Sequence, residues 1–200
     1  VDGLPMGTRC GALDPGVVLF LMAELRMDAR AIERLIYHES GLLGMSGISS
    51  VMREILKAAD AGEPRALLAL KAYCYRVRKY LGGYIAAMGG LDAVVFTGGV
   101  GQGSDMVRAL ALQGLGGMGI RLDDERNRNA RGFDEVCRIS TDDSPVAVLV
   151  VPADEERMMA REALRSSVFW RVSLAFGLSN FATTGLIVHQ VPFLTETAHM

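Results

Sequence analysis

Residues 91–104 read LDAVVFTGGVGQGS, and this stretch decides the fold. Its first half, Leu91–Phe96, is a short apolar run of the kind that forms a buried strand. Its second half, Thr97–Gly103, carries Gly98, Gly99, Gly101 and Gly103 and reads as a glycine-rich turn. Ser104 is then placed to cap a helix reaching about Leu115. Glycine has no Cβ and tolerates positive φ, so backbone in such a turn can come close to a ligand. The helix that follows presents unpaired N–H groups where negative charge is favoured. On that reading the four glycines form a wall against a nucleotide. The turn is not a Walker A loop, because no Lys-Ser/Thr follows, and it is not the GxGxxG of a dinucleotide fold. The same glycines suit a tight strand–helix connection equally well.

Working outward, Val146–Val151 (VAVLVV) is a fully apolar, β-branched run that suits a strand covered on both faces. Gly119–Leu122 and Val136–Ile139 read as further short strands. Asp154 opens a helix to about Ser166. On the other side, Glu63–Met88 is the longest helical pattern. It carries Leu67, Leu70, Tyr73, Val77, Tyr80, Leu81 and Tyr84 on one face, expected to be core or a subunit interface, and ends at Gly89-Gly90. Asp14-Pro15 starts a helix running to about Arg26. Asp28 caps a second that reaches His38, and Ser50 caps a third over Met52–Ala61. Ser40–Ser50 (SGLLGMSGISS) reads as loop. Helices alternating with buried strands predict an α/β lobe.

Composition narrows the function. The chain has 200 residues, half of them hydrophobic, so a sizeable core is available and whole-chain disorder is excluded. A formal net charge of −2, from 21 basic and 23 acidic residues, argues against nucleic acid as a partner. Cys10, Cys74 and Cys137 form no CxxC pair and stand near no histidine at ligand spacing. They read as reduced thiols of a cytoplasmic protein rather than as a disulfide framework or a zinc site. His38, His189 and His199 stand alone as structural or surface residues. No basic region followed by an apolar stretch opens the chain, so no signal peptide is read.

Three further segments can carry chemistry. In Met6–Gly11 (MGTRCG), Arg9 offers a rigid fork of donors suited to phosphate or carboxylate. By itself the segment reads more readily as a surface arginine beside a helix start. In Pro152–Arg157 (PADEER), Glu155 or Asp154 could hold Mg²⁺ directly or through water, at the end of a buried strand where ligands of open α/β sheets gather. Asp154 equally suits a helix cap. In Ser49–Glu54 (SSVMRE), Arg53 sits where the first turn of a helix would meet a nucleotide, or where it would simply be solvated.

Taken in order, MGTRCGALDPG, SGLLGMSGISSVMRE, YRVRKYLGGYIAAMGGLDAVVFTGGVGQGS and VLVVPADEERMMAREAL resemble the acetate kinase family, from the start to about Leu164. The resemblance implies the actin-like, sugar-kinase-like (ribonuclease H-like) ATPase fold, of which this chain would be the C-terminal domain. It implies phosphate transfer between ATP and acetate, or propionate, with Mg²⁺, in a cytoplasmic homodimer. Carried over by motif, Arg9 contacts the carboxylate or acyl phosphate and is the catalytic residue. Gly99, Val100, Gly101, Gln102 and Gly103 bind ATP, with Met52 and Arg53 in a second nucleotide-contacting segment, and Glu155 is the Mg²⁺-associated glutamate. Three departures stand out. Val51 replaces the family's usual Asp before Met-Arg. Gly101-Gln102-Gly103 replaces Gly-Glu-Asn. The family's N-terminal Asn-x-Gly-Ser and His-x-Gly-x-Gly segments have no counterpart, so turnover by this chain alone is expected to be little or none. A noncatalytic dimerisation or regulatory module is the alternative.

The tail differs in composition. From Val172 to Leu194 there is no Asp, Glu, Lys or Arg, a length able to span a bilayer, though Ser173, Ser179, Asn180, Thr183 and Thr184 dilute it. FWRVSLAFGLSNFATTGLIVHQVPFL resembles a membrane segment of a major facilitator transporter. An apolar helix packed on the lobe is the other reading. The expected organisation is a kinase domain over 1–166 and an apolar tail over 167–200.

Overall fold

The computed structural model describes residues 3–130, 135–153, 162, 164–168 and 170–171. The chain divides into two compact units, Val1–Ala153 and Asp154–Met200. The expected Asp154–Ser166 helix falls largely outside the described residues, and the uncharged 172–194 stretch falls outside them entirely. Among the described residues no helix is long and apolar enough to cross a membrane.

The first unit is built around one long helix and one small sheet. Asp14 accepts a hydrogen bond from Gly16 N and starts α1, Pro15–Ala23. The helix stops short of the expected Arg26, whose φ of 51° cannot continue a right-handed helix. Asp28 accepts from Ala31 N and caps α2, Ala29–His38.

The Ser40–Ser50 stretch is not all loop, as its composition suggested. Gly41–Ser46 forms α3. Its glycines serve the two ends of the helix: Gly41 enters with φ 62° and Gly47 ends it with φ 67°. Between them Leu42 is buried in the core, and that burial outweighs the weak helix propensity of Gly and Ser. Next comes α4, Met52–Asp60, with Val51 rather than Ser50 at the cap position and no side-chain cap bond. Ser50 falls one residue too early, and Ser49 Oγ instead accepts from Val51 N at 3.1 Å.

Glu63 caps α5, Pro64–Met88, and Gly89 closes it in the left-handed conformation. Its buried stripe is Ala66, Ala69, Leu70 and Cys74, against which α3, α4 and α7 pack. The expected aromatic face is the edge of that stripe. Leu67, Tyr73, Val77, Tyr80 and Leu81 are half-buried and Tyr84 is exposed. Small residues let neighbouring helices come close, so they, rather than the tyrosines, choose the packed face.

The sheet has the order β1-β3-β2, with β1 Ala93–Phe96, β2 Cys137–Arg138 and β3 Ala147–Val150. β1 and β3 are parallel, with Val94 opposite Val148 and Phe96 opposite Val150. β2 runs antiparallel on the other side of β3. Bridges Ile120–Val146 and Leu122–Ser140 extend this sheet where a strand over Gly119–Leu122 was expected. β3 is central in pairing, but only Val148 and Val150 are fully buried; Ala147 and Leu149 are half-covered, so it is not enclosed equally on both faces.

Between β1 and β3 lie α6 (Gly98–Gly103), α7 (Asp105–Leu112), a 3-10 turn at Gly116–Met118 and α8 (Asp124–Asn129). Ser104 Oγ accepts from Val107 N and caps α7, which ends at Leu112 rather than Leu115. Asp123 accepts from Glu125 N and Arg126 N and caps α8, which nothing in the residue pattern had announced. One core lies around α5 and includes Leu42, Met52, Ile55, Leu70 and Val107. The other lies on the sheet and includes Val94, Leu112, Ile139, Val148 and Val150. Cys10, Cys74 and Cys137 are all free thiols. Burial pushes the Cys74 thiol up to about 11, with Arg78 opposing the shift.

Candidate functional site

Parallel pairing of β1 with β3, with Phe96 opposite Val150, brings the carboxyl ends of the two strands together. Two hydrogen bonds continue the junction past the strands. Val151 N donates to Phe96 O at 2.9 Å, and Ala153 N donates to Gln102 Oε1 at 3.0 Å. The glycine segment and the chain leaving VAVLVV therefore share one edge of the sheet. Glu155, the expected metal-associated residue, lies outside the described residues, two positions beyond Ala153 in sequence.

The glycine segment is a short helix rather than an open turn. Gly98 has φ 70°, which a side chain would strain, and it lets the chain leave β1 and coil at once. Gly99 and Gly103 face open space: a Cβ on either would meet no atom within 4 Å. Gly101 lies against Phe96, whose carbonyl carbon would stand 3.4 Å from a Cβ at that position. The Val100 side chain packs on the α5 core and Gln102 is buried, so among the expected nucleotide contacts these two turn inward. The open face of the segment belongs to the glycines.

Behind it stands Arg108, on α7, which sequence reasoning missed. It is fully buried, and all five of its N–H donors are used. Nη1 donates to the carbonyls of Gly101 and Gln102, each at 2.8 Å. Nε donates to Asn127 Oδ1 at 2.7 Å, and Nη2 to the carbonyls of Asn127 at 2.8 Å and Ala130 at 3.1 Å. Asn127 Nδ2 in turn donates to Asp105 O at 2.9 Å. One guanidinium thus closes the C-terminal ends of both α6 and α8, where a positive charge is favoured. Burial lowers its pKa from the ordinary value, and the nearby Asp105 opposes that shift. The one available signal was an arginine four residues after the Ser104 cap, on the side of α7 shared by Val107 and Ala111; it is indistinguishable from a solvated residue until α8 is in place.

Arg9 belongs to a second constellation. Its loop is held by backbone: Met6 N donates to Arg9 O, Cys10 N to Ile36 O, Ser40 N to Thr8 O, Leu42 N to Met6 O and Leu43 N to Gly7 O, all within 3.0 Å. The Arg9 guanidinium is exposed and lies 5.7 Å from the centre of the Tyr37 ring, within cation–π range. A cavity of about 440 Å³ opens beside it, lined by Met6, Cys10, Gly11, Val18, Ile36 and Tyr37. Among the described residues no carboxylate forms an ion pair with Arg9. The loop also touches the segment before α4: a Cβ on Gly7 would stand 2.7 Å from Ser50 O. Arg53 is exposed on the first turn of α4, 3.6 Å from Glu54. The Met52 side chain is buried in the α5 core. The structure thus joins the predicted site residues in two pairs, the glycine segment with the chain leaving β3, and Met6–Gly11 with Ser49–Arg53. Among the described residues no group of three or more His, Cys, Asp or Glu side chains is placed to hold a metal.

A parallel pair of strands whose carboxyl ends carry a glycine segment and a second turn suits a ligand-binding α/β lobe, and solved kinases of the actin-like ATPase fold give its class. Acetate kinase from Porphyromonas gingivalis superposes with a TM-score of 0.75 at 47% identity, over 80% of this chain and 40% of that one. A propionate kinase from Francisella tularensis gives 0.72 at 34% identity, over 80% of this chain and 40% of that one. In sequence, the acetate kinase of Dictyoglomus thermophilum is 47% identical over 165 residues, covering 82% of this chain and 41% of the relative. That of Clostridium novyi is 48% identical over 160 residues, covering 80% and 39%. The model of the acetokinase family matches residues 1–161, and the chain belongs to that family. It spans about two-fifths of the length of the curated relatives it matches. The transporter-like reading of the tail has no counterpart in these matches.

Proposed function

We propose that this chain supplies the nucleotide-side lobe and the Arg9 loop of an acetate kinase, ATP + acetate giving ADP + acetyl phosphate. The observation that carries the reading is the single sheet edge shared by Gly98–Gly103 and Val151–Ala153, joined through Gln102. A nucleotide lying on the exposed glycines would meet backbone rather than side chains there. In the reaction a carboxylate oxygen of acetate attacks the γ-phosphorus of ATP. The new O–P bond forms as the bond to the β–γ bridging oxygen breaks, and ADP leaves with that electron pair. Arg9, charged and free of carboxylate partners among the described residues, would orient the acetate carboxylate and offset charge on the transferring group. Arg53 would lie along the nucleotide. Mg²⁺ bound with the nucleotide would neutralise phosphate charge, with Glu155 as the residue to hold it directly or through water.

Acetate is proposed as the acyl group because curated relatives 47% and 48% identical to this chain are acetate kinases; identity to the solved structures does not separate the two substrates, with one acetate kinase at 32% and the propionate kinase at 34%. A homodimer is supported by α1, whose Val17, Leu19, Phe20 and Met22 are exposed apolar residues on a helix apolar nearly all round. Three free thiols are consistent with the reducing cytoplasm.

The test mixes the chain with the remaining, N-terminal portion of a relative and measures acetyl phosphate formation from ATP and acetate, with Arg9→Lys alongside. Activity that appears on mixing and falls about a hundredfold or more with Arg9→Lys supports the reading. Assembly without any acetyl phosphate, from acetate or propionate, would leave the noncatalytic module in its place.

A further inference from the structure

α6 is an improbable helix. Four of its six residues are glycine, the poorest helix former after proline, and it is too short to hold itself. What keeps it coiled must come from outside, and the support reaches it on one side only. Gly99 and Gly103 face open space, whereas the carbonyls of Gly101 and Gln102 are gripped by Arg108 and the Gln102 amide is tied to Ala153.

We propose that Arg108 is a positioning residue for nucleotide binding: by clamping the α6 carbonyls to the end of α8, it fixes the shape of the glycine segment on which a nucleoside diphosphate would rest. This rests on the nucleotide reading above. Arg108 touches no substrate itself, being buried behind the segment. Its geometry is what lysine cannot copy, since two helix ends are bridged by the fixed fork of a planar guanidinium. Asn127 extends the clamp, accepting from Arg108 Nε and donating to Asp105 O, so that α7 and α8 move together with the glycine segment.

The experiment uses the whole 200-residue chain, with Arg108→Lys and the milder Asn127→Ala, which loosens the clamp without removing its charge. Two quantities are read: amide hydrogen exchange along the chain, and the affinity for ADP by calorimetry. Exchange of the Gln102, Gly103 and Ser104 amides, which close the turns of α6, should rise about tenfold or more while those of Ile55 and Val148 stay as in the wild type. ADP affinity should fall about tenfold, with thermal unfolding of Asn127→Ala remaining cooperative. Exchange that rises equally in α6 and in β3, or ADP affinity unchanged in both variants, would overturn the proposal and leave Arg108 a general structural residue. Wild-type chain that binds no ADP overturns the nucleotide reading instead; the exchange profile then still decides whether Arg108 holds the segment.

Discussion

The two loops that carry the proposed site are braced by opposite means. Gly98–Gly103 is held from behind by side chains: Arg108 on two of its carbonyls and Gln102 reaching to Ala153. Met6–Gly11 is held by backbone hydrogen bonds to α2 and α3 and by glycines that let main chains approach closely. The first arrangement leaves glycine backbone open to a ligand and hides the charge. The second leaves a charged side chain, Arg9, open and hides the backbone. A loop that offers backbone must be shaped by side chains elsewhere. A loop that offers a side chain must be shaped by its own main chain.

This contrast can be broken at several places. The largest effect is expected at Gly41→Val. Its φ is 62°, and a Cβ there would stand 2.2 Å from Met6 O and 2.8 Å from Arg9 O. Backbone strain and overpacking together should cost about 3–5 kcal/mol, read in urea unfolding, and should disturb the Arg9 loop while leaving the glycine segment intact. Asn127→Ala should cost about 1–3 kcal/mol, because it strips one acceptor from buried Arg108 and one donor from Asp105 O. Its damage should localise to the other loop. Gly99→Ala separates shape from contact. A Cβ there meets nothing within 4 Å, so stability should stay level or rise by about 0.5–1 kcal/mol. ADP affinity should nevertheless fall, since the methyl group would occupy the face assigned to the nucleotide.

The smallest effect at neutral pH concerns Cys74, buried in the α5 core. Its folded pKa, about 11, lies above the ordinary value of 9.0, because burial disfavours the thiolate. The folded state then holds the proton more tightly, so this contribution is complete below pH 9 and is lost as pH rises from there toward 11. Cys74→Ser should change the alkaline limb of the stability profile and leave the limb below about pH 8 parallel to the wild type. A wild-type profile flat through about pH 10.5 would contradict the burial argument.

Much of this was legible from residue patterns. LDAVVF and VAVLVV were read as strands, Asp14-Pro15, Asp28, Glu63 and Ser104 as helix starts, and Gly89 as a stop, because caps, proline and β-branched runs act within a few residues of themselves. Where the reading failed, the winning interaction came from far away in sequence. Gly41–Ser46 looked like loop because its glycines were counted as breakers, whereas they sit at the helix ends and Leu42 is buried against α5. Thr97–Gly103 looked like an open turn because nothing local can hold a glycine helix.

The order of elements, the α/β character and the segments of the proposed site follow from the chain itself, since each rests on capping, turn chemistry and apolar patterning that a chain expresses locally in water. Which face of α5 is buried, which residues of a motif point outward, and the role of Arg108 were decided only in three dimensions. Arg108 and Asn127 are 19 positions apart and each is ordinary alone. Only the packing of α6, α7 and α8 excludes water from between them, and a buried guanidinium must then find a carbonyl or amide oxygen for every donor.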